Sequence, residues 1–175
     1  MAANTFESDF GGVSLHGEAH PLAAWFVLAL RVMMGYIFIH AGTEKLLGAF
    51  DASGYLLHAV PSASPAVGLF HWMAQSPAML GVVNVAVPWG ELLIGLGVLF
   101  GALTRLAAFW GAVMMVLLYF SNWGVENGFV NSDFAYIVVF LAIAAFGAGR
   151  ILGLDAYLEG TQLVEDHPRL QYLLG

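Results

Sequence analysis

Four long apolar runs separated by polar breaks set the organisation of this chain. The first extends from about Leu22 to Leu47 and is interrupted by Arg31, His40, Glu44 and Lys45. As a helix it would reach roughly 39 Å, enough to cross the hydrocarbon core of a bilayer with its ends among the headgroups. The second runs from Val82 to Leu103 with Glu91 as its only charge. The third runs uncharged from Leu106 to about Trp123, and the fourth runs from Phe134 to Leu152 with Arg150 near its end. In lipid only helices and closed barrels satisfy their own backbone, and runs of this length mean helices. The pattern predicts an all-α integral membrane four-helix bundle over residues 22–155, with helices at about 22–47, 82–103, 106–123 and 134–152. A polar tail (1–21) precedes it and a second polar tail (156–175) follows.

The connection from Gly48 to Gly81 is long and contains Pro61, Pro65 and Pro77. Its two apolar pieces, GYLLHAV and AVGLFHWMA, are too short to span. They predict short interfacial helices resting on the bundle, with Trp72 at headgroup level.

Composition reinforces the membrane reading: 60% of residues are hydrophobic and 10% charged, at a mean hydropathy of +0.81. A soluble domain carries roughly 25% charged residues. The formal net charge of −7 and the absence of clustered cations argue against nucleic-acid binding. With no cysteine, disulfides and thiolate chemistry are excluded. The first 21 residues hold Glu7, Asp9 and Glu18 but neither lysine nor arginine, unlike the basic start of a secretory signal, and read as a soluble, partly disordered tail. Four spans would put both termini on the side of Arg105, Arg150 and Arg169, against Lys45 alone opposite. The positive-inside rule then predicts a multi-pass protein of the cytoplasmic membrane with both termini in the cytoplasm.

Each charged helix carries a narrow stripe of small and polar residues. The stripes are Arg31, Gly35, Phe38, Gly42 and Lys45; then Glu91, Gly95, Val98, Ala102 and Arg105; then Tyr136, Phe140, Ile143, Gly147 and Arg150. Small residues let helix backbones approach, and polar groups turn toward the bundle interior. Glu91 lies roughly 13 Å into its predicted helix, where a lone carboxylate needs a partner or a proton. Arg31 is the partner expected from depth. The pair either fixes helix register or, together with Tyr136, lines a polar cavity for a quinone headgroup or a proton relay.

His40 and Glu44 are i, i+4 neighbours on the face opposite Arg31, suited to handling protons or to meeting the long loop or another subunit. His58 and His71 lie in that loop on the same side, so a histidine cluster is conceivable. Two ligands without a third give no basis for a metal or haem site, and neither is predicted. The segment SNWGVENGFVNSDF is richer in polar groups than a turn needs. With Lys45, its Asn122, Trp123, Glu126, Asn127, Asn131 and Asp133 form a candidate outer mouth for a ligand or partner.

The motifs RVMMGYIFIHAGTEKL, GELLIGLGVLFGALTRLAA and GAGRILGLD, in this order, resemble the signatures of the DoxX family. NWGVENGFVNSDF is similar to its DoxD-like branch, which includes the large subunit of a membrane-bound thiosulfate:quinone oxidoreductase. The resemblance implies a four-helix membrane protein linked to quinone-coupled redox or sulfur metabolism. The expectation is a membrane subunit passing electrons from thiosulfate or another reduced donor to a quinone. The alternative is a non-catalytic membrane anchor or assembly subunit of a larger redox complex. Expected partners are the lipid bilayer and either a protein partner or further copies of the chain.

Overall fold

The computed structural model describes every residue except 1–4, 11–12, 19, 21 and 125–128. Strands β1 (Thr5–Phe10) and β2 (Val13–Glu18) pair antiparallel, so the segment expected to be a partly disordered tail carries a hairpin.

The rest of the described chain is helical. Helix α1 is Ala23–Leu47, a π-helical turn covers Tyr55–Ala59, and α2 is Val67–Gln75. The long helices α3 (Pro77–Phe100) and α4 (Thr104–Ser121) follow, then α5 (Ser132–Ala145). Two short helices, α6 (Asp155–Leu158) and α7 (Gln162–Asp166), lie among 3-10 turns at Ala148–Arg150 and Pro168–Tyr172.

Helices α1, α3 and α4 are long and apolar enough to cross a membrane; α5, with 14 residues, is shorter. Two boundaries differ most from the sequence expectation. The second long helix starts at Pro77 rather than Val82, because proline at a first helical position is pre-organised and needs no N–H partner there. The last one stops at Ala145 rather than Leu152, where Gly147 adopts a left-handed conformation (φ 59°) that ends the helix.

The predicted stripes are where backbones meet. A Cβ on Gly35 would sit 2.7 Å from Leu99 Cβ, one on Gly42 would sit 2.6 Å from Leu92 N, and one on Gly95 would sit 2.6 Å from Ile39 N. These contacts zip α1 antiparallel onto α3. Helices α4 and α5 form a second close pair, in which the Phe140 ring lies over Gly111. Phe38 of α1 meets Phe140 edge-on at 4.9 Å and joins the two pairs in a core with Met34, Val98, Met115 and Ile143. Between α3 and α4 the packing is looser, touching at Gly97 against Ala107 and at Gly90 against Met114.

Both ends of the bundle are capped. At the end where α1 stops, Ala52, Leu56, Val60 and Phe70, from the connection between α1 and α3, form a small apolar core of their own. At the opposite end the buried Arg31 guanidinium donates to three carbonyls freed beyond α5, those of Ala148 (2.6 Å), Ile151 (2.8 Å) and Leu152 (3.2 Å). Asp155, fully buried, accepts from the backbone N–H groups of Leu103 (2.7 Å), Thr104 (2.9 Å) and Gly175 (3.0 Å). It therefore serves as the N-terminal cap that α4 lacks locally, since Leu103 has no side chain able to cap. Gly149 and Gly153 allow this crossing: a Cβ on Gly149 would collide with the Asp155 carboxylate, and one on Gly153 with the carbonyl of Gly149.

Candidate functional site

The glycine register sets the depth of every polar group in the bundle. With Gly35 against Leu99 and Gly42 against Leu92, Arg31 falls level with Leu103 and Lys45 level with Trp89. Arg31 is thus about 18 Å along the axis from Glu91, far beyond the reach of its side chain. The expected Arg31–Glu91 pair does not form. Glu91, 6% exposed, is paired instead with Lys45, whose Nζ lies 2.7 Å from Oε2 and 2.9 Å from Oε1. Lys45 therefore turns toward Glu91, and Lys45 and Asn122, of the same candidate set, line one cavity.

This ion pair stands on the wall of a cavity of about 1210 Å³ that occupies the loosely packed space between α3 and α4. The wall is nearly all apolar and runs from Val82 and Met79 at one end, past Ile94, Trp110 and Met114, to Phe100 and Leu103 at the other. Along α3 the stretch from Val82 to Phe100 is roughly 27 Å, with Glu91 halfway. Leu93, Phe100, Trp110 and Leu117 on its rim are each more than two-fifths exposed, so the groove opens sideways between the helices. Burying both charges of the pair in lipid is costly unless they stay together, which ties Lys45 to Glu91 at this depth.

The end of the groove nearest Val82 is roofed by Phe50, Ala52, Tyr55, Leu56, Phe70 and Met73. Three tethers hold this roof. The Tyr55 hydroxyl donates to Asn122 Oδ1 (2.7 Å) and lies 2.8 Å from Ser121 Oγ; Ser64 Oγ donates to the Phe120 carbonyl (2.6 Å); and the Ala52 N–H donates to Asn84 Oδ1 (2.9 Å). Asn84 also donates to Asp51. Hydrogen bonds from the Ser53 hydroxyl, then from Asn84 and the Ser53 N–H, hold the Asp51 carboxyl below its ordinary pKa. Asp51 accordingly stays ionised to lower pH than a free carboxylate, and its contribution fades only as pH falls through that lowered value. Tyr55→Phe removes one tether and is expected to raise amide exchange over 55–60 about two- to tenfold, read by hydrogen-exchange mass spectrometry.

The remaining candidates divide by position. Asn122 donates to Asp133 Oδ2 (2.9 Å) and so extends the Tyr55 chain to α5. Asn131 caps α5 by accepting from the Phe134 N–H (3.0 Å), a helix-start role. Trp123 packs among Tyr119, Phe120 and Phe129. Tyr136 packs against the central core and does not line the groove. Glu126 and Asn127 lie outside the described residues. His40 and Glu44 contact each other at 3.4 Å on the exposed side of α1, away from the groove. Among the described residues they do not gather with His58 and His71 into a group that could hold a metal.

Two residues with clear roles here were not assigned them from sequence. Lys45 reads as a helix-end charge until the register is known. Asp155 appears in sequence only as the end of a glycine–leucine–aspartate run. A family model, DoxX, matches residues 26–123, which is more than half of the chain and takes in Arg31, Lys45, Glu91 and both walls of the groove. Comparison with curated proteins and with solved structures gives no match.

Proposed function

Because the chain belongs to the DoxX family, we propose that it is the quinone-interacting membrane subunit of an oxidoreductase, of the DoxD-like kind, fed by thiosulfate or another reduced donor from the outer face. The observation that carries this reading is the single ion pair halfway along an apolar, laterally open groove. A phospholipid would keep its charged headgroup at the membrane surface, roughly 13 Å away from that pair. A neutral polar ring on an isoprenoid chain can sit at mid-depth, with apolar wall on both sides of it. A bound quinone supplies a two-electron, two-proton acceptor. The Lys45 ammonium, less than one-third exposed, can donate to a ring oxygen, and Glu91 can accept from a ring hydroxyl. The roof over the outer end keeps bulk water from the groove.

With no cysteine in the chain, a thiosulfate donor is handled without a covalent thiol intermediate or on a partner subunit. In this reading α5 completes a four-span topology beside α4, both termini face the cytoplasm, and Asn122 and Asp133 stand at the outer surface near the donor. Trp110 on the groove wall provides the test. A short-chain quinone is expected to quench its fluorescence saturably in the purified protein, with Trp110→Phe removing the saturable part. Glu91→Gln is expected to weaken the apparent affinity about tenfold, the loss of a charge-assisted hydrogen bond. Quenching that rises linearly without saturation, or is unchanged in Glu91→Gln, counts against a quinone at this site. Saturable binding without turnover of thiosulfate would instead favour a membrane anchor that carries quinone for a partner enzyme.

A further inference from the structure

Helix α3 is held in two different ways along its length. Over one part it lies against α1 through the glycine contacts, and the last of these falls at Pro88. A Cβ on Gly42 would sit 2.8 Å from the Pro88 carbonyl oxygen and 2.6 Å from Leu92 N. Helix α1 ends at Leu47, level with Val87 in this register, so residues 77–87 extend beyond it by roughly 16 Å. That stretch packs on the roof instead. Leu80 and Val83 meet the apolar core of Ala52, Leu56, Val60 and Phe70, while Asn84 bonds both Asp51 and the Ala52 N–H. Residues 77–87 and the roof therefore form one body. Its joint with the rest of α3 is Pro88, buried inside the helix. Proline has no N–H, so the Asn84 carbonyl loses the helical bond it would accept there, and the ring crowds that carbonyl. Helices kink at such positions.

We infer that residues 77–87 and the roof swing as a unit about Pro88, away from α4, and so gate the groove at its roof end. The close glycine contacts of α3 with α4, at Gly90 and Gly97, both lie on the other side of the joint. On the moving side, α4 is met by the Phe120 side chain and by two polar tethers. These run from Tyr55 to Ser121 and Asn122, and from Ser64 to the Phe120 carbonyl. Opening breaks both tethers but spares the bond from the Ala52 N–H to Asn84, which lies inside the moving body. It also lifts Phe50, whose ring centroid is 5.9 Å from Lys45 Nζ, off the ammonium. The Lys45–Glu91 pair stays behind, because Lys45 belongs to α1 and Glu91 follows the joint. The gate sets when water reaches an ion pair that lipid and roof otherwise keep dry. Its parts are independent of which ligand the groove takes.

The chain has no cysteine, so one introduced thiol reports water access to the groove. Leu118→Cys places it on the α4 wall, one helical turn from the Ser121 tether. Ile143→Cys, fully buried in the central core, is the control. In lipid nanodiscs the bilayer seals the open side of the groove, and a charged methanethiosulfonate reaches position 118 only past the roof. Its modification rate then follows the population of the open form. Adding Tyr55→Phe and Ser64→Ala to Leu118→Cys is expected to raise that rate about five- to hundredfold, the effect of two lost hydrogen bonds. Adding Pro88→Ala instead gives the Asn84 carbonyl its donor back and is expected to lower the rate about two- to tenfold. Ile143→Cys should stay unmodified in both backgrounds. A parent-like rate without the tethers would mean that the roof is no gate. A matching rise at Ile143→Cys would mean that the whole bundle loosens, and an unchanged or faster rate with Pro88→Ala would remove the hinge from the proline. Each of these overturns the proposal.

Discussion

Gly95→Leu is expected to leave no folded protein extractable from the membrane. The first carbon of any side chain at this position would lie 2.6 Å from Ile39 N, 2.8 Å from Ile39 Cγ1 and 2.9 Å from Gly35 O. Two of these atoms are backbone of α1, so no rotamer change relieves the clash and the two helices must separate. Overpacking of an ordinary core costs about 1–3 kcal/mol, and a backbone that cannot yield puts this case above that range. Such a loss removes much of the roughly 5–15 kcal/mol that holds a typical domain together. Gly68→Leu is the control: a Cβ there meets nothing within 4 Å, and the change should stay within about 0.5 kcal/mol of the parent. The measurement is the monodisperse fraction after detergent extraction, with the thermal midpoint of whatever survives. A parent-like midpoint for Gly95→Leu would mean that α1 and α3 do not meet at these glycines.

Lys45→Met is the second large effect. It leaves Glu91, 6% exposed, without its counter-ion, and Glu91 must then take up a proton or destabilise the fold. Removing one partner of a buried pair typically costs about 3–5 kcal/mol. Glu91→Gln added to Lys45→Met should recover about 1–3 kcal/mol, because the stranded charge is gone. Arg31→Met combined with Glu91→Gln should instead be additive within about 0.5 kcal/mol, since the guanidinium and the carboxylate share no partner. Steric-trap or denaturant unfolding of the five variants decides which cation belongs to Glu91. Coupling to Arg31 rather than Lys45 would overturn the register.

The contrast between these two cations shows what the sequence could and could not say. Gly35, Gly42 and Gly95 were legible because close backbone approach demands small residues at a fixed helical spacing, and spacing is a property of one helix alone. Depth is a property of two helices. The apolar runs carry no register: Leu47, the last residue of α1, falls level with Val87, so α3 extends past it toward Pro77 and Glu91 comes level with Thr43, far from Arg31. The true register sets Arg31 against Gly101 and Lys45 near Glu91. Likewise, the orientation of His40 and Glu44 away from the core followed from their angle around α1. The groove did not follow from any single helix, because it exists only where α3 and α4 fail to pack closely. Asp155 caps α4 from 51 residues away, a relation that no local pattern encodes. In the loop before α5, the abundance of Asn and Asp has a helix-start use in at least one case, the cap that Asn131 gives α5.

A role in quinone chemistry turns on what occupies the groove beside the Lys45–Glu91 pair. A photoreactive azidoquinone, irradiated with the protein in lipid nanodiscs and mapped by peptide mass spectrometry, addresses this directly. Labelling is expected on Gly90, Ile94, Trp110 or Met114, to be displaced by excess unlabelled quinone, and to fall in Glu91→Gln. Labels spread over outward-facing residues such as Val138 and Leu141, with no displacement by excess quinone, would contradict it.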